Sequence, residues 1–382
     1  MFTRLQKQPK KSILLLGPRG TGKSTRIQQN FPDMTRYDLL NTREALRLSR
    51  DPSLLFQEVA HLSSKQWVVI DEVQKVPDLL DEVHRLIEEK RLNFILCGSS
   101  ARKLKKKGTN LLAGRARSTQ FFPLVSKEIG IPLNIHERLR YGMLPVAVTE
   151  KDPKDYLRTY AEVYLQEEIK GEALTQNIGH FARFLEVAAR QNGQVTNVSG
   201  IARDAQVARQ TVQGYFNILV DTLIGYWLEP WKLKRATKQI AHPKFYFFDS
   251  GVVRALSLRL PYPPLQEEWG PLLETFLLHE IRAYLHYINK QYPLYFWSSP
   301  DGVEVDVFLE TSKGYVAIEC KSSSQWTSRF NLGLRRVSSE IGQGHIRCFG
   351  VYLGTRPAVF EKIQIFPIQA FLKQLWDGDI IK

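Results

Sequence analysis

Short aliphatic runs alternate with amphipathic stretches over the first 130 residues of the chain. The apolar runs are ILLLG, WVVID and NFILCG, and helical spacing begins at Lys23 and again between Pro77 and Lys90. This rhythm predicts a parallel β-sheet flanked by helices, because parallel strands need a crossover connection that is usually helical. We therefore expect an α/β fold at this end of the chain.

The rest of the chain divides into a helical part and a second α/β part. Apolar residues recur at helical spacing from about Tyr156 to Thr222 without a convincing strand. Beyond Trp227 the pattern predicts a strand at KFYFFD, a helix over 272–288, and strands at YPLYFW, VEVDVFLE, YVAIEC and IRCFGVYL. The prolines of 261–264 are the best linker candidate, since proline suits neither a helix interior nor an inner strand. We expect three domains, at 1–150, 151–265 and 266–382.

Composition places the chain among ordinary folded proteins. Its 382 residues exceed one typical domain, and 43% apolar with 24% charged residues excludes disordered, collagenous and fibrous classes. No apolar run approaches the ~18 residues that span a bilayer, and the opening segment has too few apolar residues for a signal peptide. We expect a cytoplasmic protein without a membrane partner. Three scattered cysteines indicate reduced thiols rather than a disulfide framework or a four-cysteine zinc site.

The net charge of +14 is concentrated towards the front of the chain. Residues 1–150 hold 26 Lys and Arg against 15 Asp and Glu, residues 151–260 hold 15 against 11, and residues 261–382 hold 12 against 13. A basic front favours a polyanion such as DNA as partner, and the neutral tail indicates a different role there. Charge alone is equally consistent with a generic solubilising surface.

A glycine-rich motif lies between the first predicted strand and the first predicted helix. It satisfies the spacing GxxxxGK[ST], and the predicted nucleotide-binding residues are Gly17, Pro18, Arg19, Gly20, Thr21, Gly22, Lys23, Ser24 and Thr25. Such a loop turns backbone N–H groups and a helix N-terminus towards phosphate. We expect Lys23 to reach the β- and γ-phosphates of ATP and Ser24 to coordinate Mg²⁺. The structural alternative is a glycine-rich turn that happens to precede a lysine.

Polar residues follow the next two predicted strands. Asp71 and Glu72 come at the end of WVVID, and strand ends of a parallel sheet open onto the phosphate site. We expect Asp71 to hold Mg²⁺ and Glu72 to act as general base on the attacking water. An Asp-Glu pair by itself is more typical of a helix cap. Ser99, after NFILCG, either hydrogen-bonds the γ-phosphate or lytic water or is a plain turn serine.

Basic residues follow Ser99. Five cations lie between residues 102 and 107, where a contact with a phosphate backbone and a merely solvated charge run both fit the pattern. Further on, Arg115 either completes the ATP site of a neighbouring subunit as an arginine finger or is a surface arginine. The first role requires a homo-oligomer, whose subunit number the sequence does not determine.

Two short helical patterns between residues 198 and 220 predict a helix-turn-helix. Apolar positions form one stripe from Ile201 to Val207 and a second from Val212 to Val220. Arg209, Gln210 and Gln213 are left exposed at the start of the second helix, where a recognition helix contacts bases or phosphates. The runs GYWLEPW and KFYFFD would supply the wing of a winged-helix DNA-binding domain. A helical packing module has the same pattern.

The C-terminal strands carry a second set of charged residues. Period-2 alternation places Glu304 and Asp306 on one face of a strand, and Glu319 with Lys321 on one face of the next. Turns at 300–302 and 313–314 make these strands neighbours, and Glu274 lies on the preceding helix.

A divalent metal ion is the natural partner of such carboxylates, because charges that end apolar strands are costly when unpaired. We expect Asp306 and Glu319 to bind Mg²⁺ that activates water for phosphodiester attack. Lys321 would orient that water or stabilise the developing charge, and Glu274 would assist through the metal. The alternative is a solvated face of surface ion pairs. The eight histidines show no metal-binding spacing.

Motifs in a recognisable order cover nearly the whole chain: GPRGTGKST, VVIDEVQKVPDLL, GSSARKL, LLAGRA, YLRTYAEVYLQEEIK, the helix-turn-helix, KFYFFDSGVVRAL, and EVDVFLE with IECKSS. This order resembles the large prokaryotic family of AAA-type ATP-binding proteins that carry a C-terminal domain of unknown function with a PD-(D/E)xK nuclease-like fold. The resemblance implies a P-loop AAA-type ATPase core, a winged-helix lid and a restriction-endonuclease-like α/β tail.

The resemblance also implies roles for individual residues. The residues that would act on ATP are Lys23, Ser24, Asp71 and Glu72, and Ser99 would occupy the sensor position. The residues that would occupy the catalytic positions of the nuclease-like fold are Glu274, Asp306, Glu319 and Lys321. Two departures from the family pattern are a serine at 99, where many AAA proteins have asparagine, and the lack of an evident second sensor arginine.

Two functions compete at this point. In the first, ATP hydrolysis controls a metal-dependent nuclease that acts on DNA, as the basic front and the acidic set with Lys321 favour. In the second, the chain is a regulatory ATPase whose winged helix and nuclease-like tail bind a partner without cleavage. The neutral tail favours this second function, since a nuclease that grips DNA usually carries positive charge.

Overall fold

The computed structural model describes residues 2–100, 104, 114–164, 177–232, 242–342 and 344–382. They form two compact units. The smaller unit spans Arg4–Pro123 with Asp221–Ile224, and the larger unit combines Leu124–Val220 with Gly225–Lys382. The three domains expected from the sequence remain a prediction.

A five-stranded parallel sheet forms the centre of the smaller unit. Its strands are β1 (Ile13–Leu16), β2 (Thr35–Asp38), β3 (Trp67–Asp71), β4 (Asn93–Gly98) and β5 (Arg117–Gln120). Their spatial order is β2-β3-β4-β1-β5, and every neighbouring pair is parallel. The described helices are α1 (Lys23–Asn30), α2 (Thr42–Arg50), α3 (Ser53–Val59) and α4 (Leu79–Lys90). The predicted parallel sheet is confirmed.

Both faces of this sheet are buried. Leu14 and Ile70 belong to the core on one face, whereas Leu15 and Val69 pack with Ile27 of α1 on the other. Burial on both faces explains why these strands appear in the sequence as unbroken apolar runs. Because all five strands are parallel, their carboxyl ends meet at one edge, where the predicted ATP residues follow β1, β3 and β4.

An eight-stranded mixed sheet runs through the larger unit. Its strands are β6 (Gly225–Pro230), β7 (Lys244–Phe247), β8 (Leu294–Ser298), β9 (Glu304–Thr311), β10 (Gly314–Lys321), β11 (Ile346–Tyr352), β12 (Ala358–Phe360) and β13 (Ile363–Pro367). The order is β12-β13-β11-β10-β9-β8-β6-β7. Strands β8, β9 and β10 form the predicted antiparallel meander. The strands expected to form a wing, β6 and β7, pair antiparallel, and β6 also pairs with β8.

The predicted helical middle of the chain is confirmed. The helices beyond the first unit are α5 (Ser126–Ile129), α6 (Ile135–Tyr141), α7 (Pro145–Thr149), α8 (Pro153–Tyr164), α9 (Ile178–Arg190), α10 (Val198–Asp204), α11 (Arg209–Asp221), α12 (Ser250–Leu256), α13 (Trp269–Tyr287), α14 (Leu332–Ile341) and α15 (Ile368–Asp377). Within the described parts of the chain, no helix is both long enough and apolar enough to span a membrane.

Candidate functional site

The glycine-rich motif forms a tight loop between β1 and α1. Gly20 and Gly22 have φ angles of 73° and 91°, which side chains other than glycine rarely adopt. A Cβ at Gly17 would lie 2.4 Å from the carbonyl oxygen of Phe121, so only glycine fits there. Gly22 is the N-cap of α1 and forms no side-chain hydrogen bond. The backbone N–H groups of the first helical turn are therefore available to bind an anion.

Lys23 directs its ammonium back into this loop. Its Nζ donates hydrogen bonds to the carbonyl oxygens of Gly17 at 2.5 Å and Pro18 at 2.9 Å, and the residue is 6% exposed. Thr21 Oγ1 also donates to the Pro18 carbonyl, at 2.9 Å. The lysine charge therefore lies inside the loop that is predicted to hold phosphate. Around it, Arg19 and Ser24 are partly buried, whereas Gly20 and Thr25 are exposed.

Asp71 ends β3 and is 1% exposed. Its Oδ2 accepts a hydrogen bond of 2.7 Å from Arg36, whereas its Oδ1 is buried and has no hydrogen-bond partner among the described residues. A buried carboxylate oxygen without a partner costs free energy, and Mg²⁺ is a cation that prefers oxygen ligands. Arg36 was not predicted, because its strand TRYD is short and mostly polar.

Glu72, Gln74 and Ser99 form a buried hydrogen-bonded group. Ser99 Oγ donates to Glu72 Oε2 at 3.2 Å, and the Gln74 amide contacts both the same carboxylate oxygen and, at 3.2 Å, Ser99 Oγ. Glu72 has a φ of 56°, a left-handed conformation that is uncommon outside glycine. The structure therefore brings two predicted residues into direct contact, and both also contact Gln74, which no sequence motif indicated.

The predicted basic residues after Ser99 have different outcomes. Arg115 is partly exposed and forms an ion pair with Glu88 on α4. Its role as an arginine finger in a second subunit stays a prediction. The five cations between residues 102 and 107 lie outside the described residues.

Glu274, Asp306 and Cys320 lie together although they come from α13, β9 and β10. One ligand atom from each residue lies within 4.8 Å of the other two. Asp306 Oδ2 accepts a hydrogen bond of 2.8 Å from the Cys320 N–H and lies 3.3 Å from its Sγ. Glu274 and Asp306 were predicted, but Cys320 was not, since strand alternation assigns it to the face opposite Glu319.

Glu319 and Lys321 are also in contact, as predicted. Lys321 Nζ pairs with Glu319 Oε1, and Glu319 Oε2 is buried with no hydrogen-bond partner in the described part of the chain. Burial, followed by the charge of Asp306, raises the pKa of Glu319 well above its usual range. Burial opposes a charge on Lys321, but Asp306 and Glu319 outweigh it and raise the pKa of the ammonium.

Glu274, Glu304, Asp306 and Glu319 form an acidic cluster, and two residues of β7 contact it. The Tyr246 hydroxyl donates to Glu274 Oε2 at 2.6 Å, and Lys244 Nζ lies 2.7 Å from Glu304 Oε2. Burial, followed by the charge of Asp306, raises the pKa of Glu274 from 4.5 to about 7. Sequence reasoning missed both partners, because KFYFFD predicted only a strand.

The donor set of this cluster fits a divalent cation. Carboxylates crowded into a buried site repel one another, and the raised pKa values of Glu274 and Glu319 express that repulsion together with burial. A cation with oxygen ligands relieves both costs. Asp306 is 7% exposed, and its charge raises the pKa of Glu274, Glu319 and Lys321.

The helix-turn-helix has the predicted pattern of exposure. Ile201 and Phe216, from the two apolar stripes, are 1% and 2% exposed. Arg209, Gln210 and Gln213 are exposed on α11. Their contact with DNA stays a prediction.

Three known domain families match consecutive parts of the chain. Residues 9–130 match an AAA domain. Residues 133–262 match a domain of unknown function (DUF8612), and residues 269–371 match another (DUF4143). The predicted AAA core and the predicted C-terminal domain of unknown function are therefore confirmed.

Related proteins cover most of the chain. An uncharacterized protein of Mycobacterium bovis is 27% identical over 324 residues, which is 82% of this chain and 70% of that protein. A Mycobacterium tuberculosis protein gives the same values. An uncharacterized protein of Methanocaldococcus jannaschii is 23% identical over 305 residues, 72% of this chain and 67% of its own length.

Solved structures are similar only at a low level. The Aeropyrum pernix ORC1 protein, determined in complex with DNA, is 13% identical with a TM-score of 0.28, covering 66% of this chain and 87% of that one. Can2 from Sulfobacillus thermosulfidooxidans, determined with cyclic tetra-adenylate, is 13% identical with a TM-score of 0.20, covering 97% of both chains. Neither similarity is high enough to transfer a fold or a ligand to this chain.

Proposed function

We propose that this chain is an ATP-hydrolysing AAA-type protein that acts on DNA and cleaves it with a metal-dependent, nuclease-like C-terminal domain. One observation supports the proposal at both the ATP site and the C-terminal acidic cluster. Asp71 Oδ1 and Glu319 Oε2 are buried carboxylate oxygens with no hydrogen-bond partner within the described residues. Buried polar atoms in native proteins nearly always have a partner, and a bound divalent cation is the partner that suits these two.

The N-terminal loop supplies the elements of ATP hydrolysis. The backbone of residues 17–22 and the first turn of α1 receive the phosphates, with the Lys23 charge beside them. Ser24 and Asp71 would hold Mg²⁺, which neutralises charge on the phosphates when it is bound. Glu72 accepts the proton of the attacking water, and Gln74 with Ser99 orients its carboxylate.

The C-terminal cluster supplies the elements of phosphodiester hydrolysis. Asp306 and Glu319 would hold the cation with Glu274 beside them, and the cation neutralises charge on the scissile phosphate when it is bound. Lys321 stabilises the negative charge that develops on that phosphate. The order of elements α13, β8, β9 and β10 supports the nuclease-like fold, because Glu274 lies on α13 and the other three side chains lie on the neighbouring strands β9 and β10.

DNA is the polyanion that the charge distribution supports best. The surplus of positive charge lies in the first two-thirds of the chain, and Arg209, Gln210 and Gln213 are exposed on the helix where a helix-turn-helix protein contacts DNA. ATP turnover then changes the conformation of a chain that holds DNA at one place and cleaves it at another.

The test uses the full-length protein with duplex, single-stranded and branched DNA, with Mg²⁺ or Mn²⁺, and with or without ATP. Asp306→Ala is expected to abolish cleavage and leave ATP turnover unchanged, whereas Lys23→Ala is expected to abolish ATP turnover. Asp377→Ala and Lys75→Ala remove exposed side chains of the same types and serve as controls. Cleavage that persists in Asp306→Ala would contradict the assigned site.

A second function is favoured by the ion pair between Lys321 and Glu319 and by the neutral tail. In this function the chain is a regulatory ATPase, and its middle and tail bind a partner without cleaving it. Three results together would select this second function: ATP turnover depends on Lys23, neither metal supports cleavage, and Lys321→Ala behaves like wild type.

A further inference from the structure

A concave cavity of about 820 Å³ lies beside the helix-turn-helix of the larger unit. Its lining comes from residues 195–199 at the start of α10, from α11, from Trp227 on β6, and from residues 242–243 before β7. The segments are joined locally, since the Thr196 N–H donates to the Pro243 carbonyl at 3.0 Å. A volume of several hundred cubic ångströms is typical of a site that encloses a small molecule or one unit of a polymer.

The polar wall of this cavity is one face of α11. Arg209, Gln213 and Asn217 recur every four residues, so their side chains lie in a row along the helix. All three are exposed. In the described part of the chain, neither an ion pair nor a hydrogen bond occupies their polar groups. The row therefore offers one cation and two amides to a ligand.

The aromatic wall is formed by Trp227 and Phe216. Their ring centroids lie 4.8 Å apart, and Trp227 also packs at 4.9 Å against Phe245. Phe216 is buried, whereas Trp227 is partly exposed and lines the cavity. The two neighbouring rings hold the indole in place, so it forms a fixed stacking surface.

The charge of the lining selects the kind of ligand. Arg209 contributes a full positive charge, and the described residues that line the cavity include no Asp or Glu. An aromatic surface, amides and a cation in one site are the combination that binds single-stranded nucleic acid, because bases stack on the ring while phosphates meet the positive charge. A recognition helix that reads a duplex enters the major groove, whereas Arg209, Gln213 and Asn217 line a concavity.

We propose that this cavity binds an unpaired nucleotide of single-stranded DNA. The base stacks on Trp227, its polar edge meets Gln213 and Asn217, and the phosphate lies at Arg209. The proposal rests on the proposed action on DNA and specifies the form of DNA that the chain recognises.

The test measures binding by fluorescence anisotropy with the full-length protein in EDTA, which prevents cleavage. The probes are fluorescein-labelled oligothymidylate of about 15 nucleotides, a duplex of the same length, and oligouridylate. Oligothymidylate is expected to bind about tenfold tighter than the duplex and at least as tightly as oligouridylate. Trp227→Ala is expected to weaken its binding on the order of tenfold, and Trp227→Phe to retain most of it, since one stacked base accounts for an effect of this size.

Gln213→Ala and Arg209→Ala serve as second variants, because these side chains are exposed and lie outside the buried core. Each is expected to weaken binding of oligothymidylate several-fold, which thermal unfolding of the same samples separates from misfolding. Arg203→Ala removes an exposed cation of α10 that does not line the cavity, and it is expected to bind like wild type.

Any of three results would overturn the proposal: equal affinity for the duplex, a preference for oligouridylate, or wild-type binding by the folded Gln213 and Arg209 variants. The ATPase and nuclease assignments would remain in each case. Failure to bind any oligonucleotide would remove both this proposal and the action on DNA. Binding that depends on Trp227 in a protein that cleaves nothing would support this proposal and refute the nuclease.

Discussion

The Tyr246 hydroxyl donates a hydrogen bond of 2.6 Å to Oε2 of Glu274, so strand β7 holds a carboxylate that helix α13 contributes to the acidic cluster. These two residues lie in parts of the chain that match two different domain families. The middle segment therefore takes part directly in the candidate metal site.

Replacing Tyr246 with Phe removes this hydroxyl and keeps the ring. We expect Mn²⁺ to bind about tenfold more weakly, because partners that orient a ligating carboxylate change metal affinity by roughly this amount. Calorimetric titration of the full-length protein with Mn²⁺ measures the effect. Tyr292→Phe, which loses a hydrogen bond to Ser312 near the surface, is the control. Unchanged Mn²⁺ affinity in Tyr246→Phe would argue against Glu274 as part of the site.

Gln74 is expected to position the general base of ATP hydrolysis. In Gln74→Ala, the Glu72 carboxylate loses one of its two hydrogen-bond partners and turns more freely. Because misplacement of a reacting group costs up to about a hundredfold in rate, we expect kcat to fall at least about tenfold while KM for ATP stays unchanged. Steady-state kinetics separates the two. Gln28→Ala, on the exposed side of α1, should match wild type, and a change confined to KM would refute the positioning role.

Glu280 of α13 links stability to pH. It is fully buried and accepts hydrogen bonds from Ser126 N at 2.6 Å, Ser126 Oγ at 2.9 Å and Trp376 Nε1 at 2.7 Å. Burial nevertheless raises its pKa from 4.5 to about 7. The folded protein therefore keeps a proton that the unfolded chain releases, and the resulting stabilisation is full below pH 4.5 and is lost as the pH rises to about 7.

The difference between these two pKa values corresponds to about 3 kcal/mol in the free energy of unfolding. Glu280→Gln cannot titrate, so we expect its stability to change less than that of wild type between the two ends of this pH range. Urea denaturation in EDTA at both ends measures the change. The control is Glu150→Gln, an exposed carboxyl, which should retain the wild-type slope. A Glu280→Gln protein with the same slope as wild type would disprove this assignment.

Lys321 distinguishes the two proposed functions. If it stabilises charge on a scissile phosphate, Lys321→Ala should lower DNA cleavage by at least about a hundredfold, as the loss of one charge-stabilising donor does in other enzymes. Cleavage assays in Mg²⁺ and Mn²⁺ measure this. Lys313→Ala removes an exposed lysine from the turn between β9 and β10 and should cleave normally. Equal cleavage by both variants would remove Lys321 from the chemistry.

In the first sheet, the sequence predicted the strands whose residues are apolar and did not predict the two edge strands. Strands β1, β3 and β4 lie inside the first sheet and appear as unbroken apolar runs. Strands β2 and β5 are its two edges, four residues long, with the sequences TRYD and RSTQ. Three of the four residues of β2 and all four of β5 are polar, so these strands carry no hydrophobic pattern to detect.

The candidate sites were predicted where spacing along the chain determines chemistry. Lys23 follows from its motif, and Glu319 with Lys321 follows from strand alternation. Arg36, Gln74 and Tyr246 belong to the sites through hydrogen bonds between segments far apart in sequence. Such partners depend on how the elements pack, which local periodicity does not encode.

Strand β6 pairs with β8 through Glu229 opposite Tyr295 and Pro230 opposite Phe296, so the ladder of backbone hydrogen bonds continues from the middle segment into the C-terminal strands. Trp227 on β6 and Asp306 on β9 are thus fixed to one framework, with only β8 between their strands. Strands β6 and β9 are therefore two inter-strand spacings apart, which amounts to about 10 Å. Under the two proposals, a nucleic acid held at Trp227 would meet Asp306 at a constant offset, because one sheet carries both residues.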